Sequence, residues 1–346
     1  MQLSSYLTTA LSFIIMLILL AQTCFAGGFD GKDFSLRLPA ALSRFSSYSD
    51  VAGTGGASAA SKWQTSVNPA AIAWQPMIGK LQLSLNPQYA AILFDQGTIL
   101  HVTSESLTKD IGRYGVLQGT FAQVRSNEKP DRQGITFGYE MDYMQLQWGR
   151  HLSDDFAVGL NFNYSSAEVT NKLDAAVLAN STSDSYGIRS GLLYRMMPDL
   201  LAGLVVEYSN SPAKTNLYDL FASGTGDLVL YDHTRQFTVR TGPSYEYAKD
   251  STLNLDYQYT FFKNATGELN VHRFYTGIDH RIMDALFLRT GFIVDTHGNS
   301  SWTGGVGIYP FKQLSIDAGY QYNMFPEIQS EFGRAHLFTL SLSLTL

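Results

Sequence analysis

Apolar and polar residues alternate one by one through roughly ten segments of this chain, and the charges keep to one side of the alternation. In FAVGLNFNY, Phe156, Val158, Leu160, Phe162 and Tyr164 share one parity and Gly159, Asn161 and Asn163 the other. QLSIDAGYQYN sets Leu314, Ile316, Ala318, Tyr320 and Tyr322 against Ser315, Asp317, Gly319, Gln321 and Asn323. STLNLDYQYTF and the closing HLFTLSLSLTL repeat the pattern, the latter with Phe338, Leu340, Leu342, Leu344 and Leu346 on one face and hydroxyls on the other. Successive side chains of a strand point to opposite faces, so each segment reads as a β-strand with two different solvents. Similar segments lie near 185–196, 202–209, 236–247, 271–282, 285–294, 302–310 and 335–346.

The charges identify those solvents. Arg189, Arg195, Glu207, Arg240, Asp256, Arg289 and Asp317 all fall opposite to the apolar set of their strand, and Arg273 joins them as a candidate interior charge. A soluble sheet segregates charge too, but its outer face carries far more Lys and Glu. Here the polar face is Gly, Ser, Thr, Asn and Gln with scattered ions, and charged residues are only 16% of the chain, against about 25% in soluble domains. No apolar run after Ala26 is long enough to span a bilayer as a helix. The expected fold is all-β: a transmembrane antiparallel β-barrel of about 14 strands, with 12 or 16 as alternatives. Ile316→Arg is then expected to put a charge in lipid and Asp317→Arg to alter only the lumen. Two departures stand out. His280 shares parity with Ile278 and Ile282, and Glu140 and Asp142 share parity with Met144 and Leu146, which implies a strand rising above the membrane or a bulge.

Short connections near 197–199, 248–251, 282–285 and 310–313 alternate with long ones near 170–184, 210–234 and 324–334, which orients the short ones to the periplasm. Residues 1–26, with the apolar run Leu11–Ala21 and small residues at Cys24 and Ala26, read as a cleaved signal peptide; acylation of Cys24 is the alternative. Cleavage would leave a thiol-free chain. The net charge of −6 gives no reason to expect nucleic acid. Expected partners are outer-membrane lipid, the barrel assembly machinery reading the strand Phe338–Leu346, and a hydrophobic small molecule, with a monomer favoured.

Residues 27–76 lack the alternation of the barrel, 77–346. This leader is rich in Gly, Ala and Ser, yet it holds Phe29, Phe34, Leu36, Leu38, Phe45, Trp63, Ile72 and Trp74, too apolar a set for a solvated tail. It is expected to plug the lumen. Its passage GTGGASAASKWQTSVNPAAIAW resembles the N-terminal hatch of the FadL-type long-chain fatty acid transporters, where an Asn-Pro-Ala motif precedes the first strand. Here that motif is Asn68-Pro69-Ala70. The resemblance implies a plugged outer-membrane channel for passive uptake of long-chain fatty acids or aromatic hydrocarbons, with lateral exit through the wall.

No catalytic site, cofactor or metal site is expected. There is no G-x-S-x-G elbow, the seven His residues are scattered, and the Asp232-His233 and Asp279-His280 steps point to opposite faces of their strands. The interior charges are read as a salt-bridge ladder holding wall and plug, with a conduction path as the alternative. A non-transporting scaffold or secretion-system shuttle, and a general porin, are the competing functions.

Overall fold

The computed structural model describes residues 34–43, 56–62, 64–75, 83–128, 130, 134–173, 176–218 and 228–346. The expected signal peptide lies outside them, as do Phe29, Phe45 and Trp63. Fourteen strands follow one another around a closed antiparallel barrel. The first seven are β1 (Leu83–Phe94), β2 (Ile99–Asp110), β3 (Val116–Ser126), β4 (Ile135–Ser153), β5 (Phe156–Leu173), β6 (Ala176–Met197) and β7 (Leu200–Leu217). The rest are β8 (Leu228–Ala248), β9 (Ser251–Asn264), β10 (Gly267–Met283), β11 (Leu286–Asp295), β12 (Ser300–Phe311), β13 (Leu314–Tyr322) and β14 (Ala335–Thr345). Closure comes from β14 on β1, with Leu344 opposite Leu85 and Ala335 opposite Phe94. Full closure leaves no sheet edge, so every strand finds two partners without water.

The alternation sorts side chains as the parity requires. Phe338, Leu340 and Leu342 are exposed on the outside of β14 and Leu346 is exposed just beyond it, whereas Thr339 is buried within. Phe162, Met144, Leu146, Ile188, Leu288 and Ile316 likewise point outward. Four of the histidines join this outer face as members of Tyr–His pairs. The hydroxyls of Tyr89, Tyr247, Tyr257 and Tyr320 lie 2.7, 2.8, 2.7 and 2.9 Å from Nδ1 of His101, His280, His272 and His336. Amphipathic rings of this kind suit the two membrane interfaces of a barrel, and they account for the outward His280.

Three sequence expectations are corrected. The stretches 170–184 and 210–234 are largely strand rather than loop: β5 to β8 run 18, 22, 18 and 21 residues, well beyond the 9–11 that cross a bilayer. The far ends of β5, β6 and β7 are rich in Ser, Thr and Asn on both faces and β8 opens on the unalternated run Leu228–Tyr231, so none carries a hydrophobic alternation to read. Second, β4 passes Glu140 and Asp142 with no bulge; its register shifts only between His151 and Ser153. Both carboxylates point outward and meet Arg125 of β3, at 3.6 and 2.7 Å.

The third correction concerns Asp317. It is buried in the barrel with an oxygen 2.5 Å from Nη1 of Arg289, whose Nε lies 3.0 Å from Asp279. An arginine there would face a buried arginine, so Ser315, an inward neighbour on the same strand, is the better luminal control. Ile316 sits outside between Ile308 and Leu342. Ile316→Arg is expected to destabilise the bilayer-inserted barrel by about 2–4 kcal/mol and Ser315→Arg by far less. Urea unfolding in lipid vesicles reads the difference; equal losses would mean the faces are misassigned.

Candidate functional site

The interior is built from the wall inward. Four glycines on the inner faces of β4 to β7 replace side chains with room for backbone. Gly149 is paired with Gly159 and Gly159 with Gly191, while Gly203 lies on the next strand opposite Leu193. A Cβ on Gly159 would lie 2.3 Å from the Pro69 carbonyl carbon, one on Gly191 2.0 Å from Asn68 Oδ1, and one on Gly203 1.9 Å from Ala59 O. On Gly149 it would meet Ile72 Cγ2 at 2.4 Å. This row is a seat on which segment 56–75 presses its main chain directly against the barrel.

Asn68 shapes the piece that sits there. Fully buried, it accepts from Ala70 N at 3.0 Å and caps the 3-10 turn Pro69–Trp74, with Pro69 in the first position, where its missing N–H costs nothing. Its amide donates to Ala59 O at 2.6 Å and to Leu192 O of β6 at 2.9 Å. One side chain thus ties the turn, the preceding loop and the wall together. Ala60, Ala70 and Ala71 are buried in one cluster with Ala157, Leu193 and Leu201 of the wall, and Ile72 is fully buried too.

Most of the interior charges bind this segment. Arg240 and Asp256 pair at 2.6 Å, and Asp256 Oδ2 also accepts from Ser58 N and Ala59 N at 2.7 and 2.8 Å, while Arg240 donates to Gly56 O. Arg189 pairs with Glu207 at 2.9 Å and donates to Ser66 O at 2.7 Å. Arg195 lies 4.5 Å over the Trp74 ring and 3.7 Å from Asp155. Arg273 serves a second piece, the helix Phe34–Leu42, by donating to Ala40 O at 2.6 Å and Ser43 Oγ at 2.8 Å; a cation there complements the helix C-terminus. Arg289 and Asp317 stand apart in the wall with Asp279. Asn68, Pro69 and Ala70 are brought together with Arg189 and Glu207 at one seat; Arg240 and Asp256 hold the adjoining loop.

The connection between β13 and β14 closes over the helix. It carries the 3-10 turn Pro326–Ile328 and the helical turn Gln329–Phe332. Glu327, with its side chain 0% exposed, pairs at 2.9 Å with the equally buried Arg273. Arg37 of the helix pairs with Glu331 and donates to Glu327 O at 3.1 Å. Partial burial pushes the Glu331 carboxyl up, but hydrogen bonds from Arg37 and Ser330 outweigh it and hold the group below its usual 4.5.

Around this closure the lumen is apolar. Ile92 and Phe94 of β1, Leu100 and Val102 of β2, Val124 of β3 and Tyr139 of β4 form one buried cluster with Met324, Phe325 and Ile328. Phe94 stacks on Phe325 at 6.1 Å and tilts against Phe332 at 5.5 Å. Towards the opposite end the same strands turn polar inside, with Gln88, Ser104, Ser106, Thr108, Gln118 and Gln147. An apolar storey therefore lies on a polar one, and segment 56–75 reaches the latter through Gln147, whose amide donates to Thr65 O at 3.2 Å.

The sequence reading missed the glycine seat, Glu327 and the apolar storey. Gly149, Gly159, Gly191 and Gly203 all carry the inward parity, and that was their only signal; Gly319 carries it too.

No family model and no curated protein sequence matches the chain. Solved structures do match its shape. The CymD monoaromatic hydrocarbon channel superposes with a TM-score of 0.58 at 14% identity, over 86% of this chain and 97% of that one. The Ralstonia pickettii toluene transporter TbuX gives 0.57 at 12% identity, over 86% and 98%. A Pseudomonas aeruginosa FadL homologue gives 0.53 at 12% identity, again over 86% and 98%. At such identities the likeness speaks for the fold alone, and what it establishes is that this chain is a closed fourteen-stranded antiparallel barrel with the architecture of those channels.

Proposed function

We propose that the protein is a passive channel of the bacterial outer membrane for hydrophobic small molecules, with residues 27–76 as its hatch. The observation that carries this reading is the apolar storey: beneath the Arg37–Glu331 closure of the β13–β14 connection, Phe94, Val102, Phe325 and Ile328 belong to one apolar cluster inside the barrel. Water-soluble solutes gain nothing there, whereas an aromatic ring or acyl chain exchanges water for hydrocarbon at about 25 cal/mol per Å² buried. The neighbouring folds are described as toluene and monoaromatic hydrocarbon channels, which agrees in chemical class. Long-chain fatty acids and aromatic hydrocarbons are the proposed substrates.

The test is uptake into proteoliposomes carrying the full chain. Labelled toluene or a long-chain fatty acid should enter while small sugars do not. Deleting 27–67 should admit sugars. Asn68→Leu, which removes three hydrogen bonds among buried groups, should slow uptake of the hydrophobic solute about tenfold with the barrel still inserted. Free passage of sugars through the intact chain would make it a general porin. If neither class of solute crosses, a scaffold or secretion-system shuttle replaces the channel.

A further inference from the structure

On the outer wall of β7, β8 and β9 the surface changes from apolar to cationic within one rung. Val206, Val239 and Tyr259 are register partners, and the next outward rung is Tyr208, Phe237 and Phe261. The rung beyond that is Asn210, Arg235 and Lys263. One rung further His233 stands opposite Pro212, and then Tyr231 opposite Lys214. Such a change marks the level at which hydrocarbon gives way to headgroups.

The cations there are arranged at a cost. Arg235 and Lys263 are directly opposite on the same face, where like charges repel across about 4.5–5.5 Å. Lys263 has Glu268 at 2.6 Å, but among the described residues neither Arg235 nor Lys214 has an ion-pair partner. The nearby Asp232 is committed to main chain and amide, accepting from His233 N, Ala265 N and Asn264 Nδ2 at 2.7, 3.1 and 3.2 Å. The His233 ring is held by Asn210. The corresponding cation on β3 is treated differently, since Arg125 is matched by both Glu140 and Asp142. An open cleft of about 360 Å³ remains, lined by Tyr231, His233, Arg235 and Lys263 together with Asn264, Ala265 and the already bonded Asp232.

We propose that this cleft binds the phosphate group of a lipid headgroup, with Arg235 as the forked donor, Lys263 as the second cation and Lys214, opposite Tyr231 on the neighbouring strand, as an outlying third. An anion between Arg235 and Lys263 converts their repulsion into two charge-assisted bonds. The lipid source follows from position: the cations face outward and stand directly above the aromatic rung Tyr208, Phe237 and Phe261, where acyl chains lie beneath the headgroup. The site rests on the outer-membrane reading but not on transport, since it lies on the opposite face of the wall from the hatch.

The experiment uses the full chain, delipidated in a zwitterionic detergent, titrated with bisphosphorylated lipid A and with the same lipid stripped of its phosphates, and read by native mass spectrometry. The phosphorylated lipid should bind about tenfold tighter than the stripped one. Arg235→Gln with Lys263→Gln should abolish that preference, and Lys312→Gln in the turn at the other end should leave it intact. Lys214→Gln, an exposed position, should weaken binding by itself and serves if the double variant does not fold. Equal binding of the two lipids, or an unchanged preference in the double variant, overturns the site. Inorganic phosphate saturating it as tightly as the lipid would make it a free-anion site and overturn the lipid assignment. A chain that fails to insert into vesicles would refute the membrane reading before any lipid is compared.

Discussion

Gly191→Val is expected to open the barrel to small sugars. The added Cβ would lie 2.0 Å from Asn68 Oδ1 and 2.7 Å from Pro69 Cδ, well inside contact distance. Neither neighbour can move alone. Asn68 is held by Ala59 O and Leu192 O, and Pro69 begins the turn that Asn68 caps. Overpacking of this kind costs about 1–3 kcal/mol when the surroundings yield, and about 1.4 kcal/mol is a tenfold shift between seated and unseated states. Sugar flux through reconstituted barrels should therefore rise by about tenfold, measured by liposome swelling. Gly119→Val is the control, because a Cβ there meets nothing within 4 Å. Flux as low as wild type in the Gly191 variant would show that the seat does not hold the channel shut.

Removing the carboxylate of Asp256 should have the largest effect on stability. Its side chain is 0% exposed and gathers four donors: Ser58 N, Ala59 N, and Nε and Nη2 of Arg240. Arg240 is itself nearly buried, with its guanidinium 4.0 Å from the centre of the Tyr275 ring. Asp256→Ala leaves that cation without its counter-charge, and breaking a buried pair from one side costs about 3–5 kcal/mol. Folding in lipid vesicles followed by denaturant titration should show a loss of that size. The double variant Asp256→Leu with Arg240→Met should recover most of it, because no unpaired charge then remains inside. A single variant within about 1 kcal/mol of wild type would rule out the pair as the anchor of the inner segment.

A closed barrel of about fourteen strands, and the inward or outward sense of the strands from Phe156 onward, were legible in the chain itself, with 12 or 16 strands left open. Each membrane-crossing strand separates lipid from lumen, so Phe162 and Asn161 had to differ whatever their neighbours were. The C-terminal strand could be placed from Phe338, Leu340 and Leu342 once the charges of the other strands had identified the two solvents. Asn68-Pro69-Ala70 was visible too, through its likeness to a hatch motif and because Asn before Pro at the start of a turn has a local reason. Strand length was not legible. Past the apolar belt β5 to β8 have water on both faces, the alternation lapses, and a paired Ser/Thr-rich strand looks like a loop. Glu140 and Asp142 belong to the same region, where an outward charge is cheap and meets Arg125.

What the sequence by itself determined, then, was everything set by the two solvents: the strands of the belt, their faces, the closed sheet and the interior location of the charges. The tertiary structure alone decided which inner glycines seat Asn68 and Pro69, that Arg240 and Asp256 clasp the loop before them, and that Arg273 reaches Glu327. Those contacts join residues from 54 to nearly 200 positions apart, as in Arg273–Glu327 and Ser58–Asp256. Period two assigns a side chain to a face but says nothing of its height or of what stands opposite. Gly191 and Gly319 are therefore equivalent along the chain, and only the shape of the filled lumen separates them.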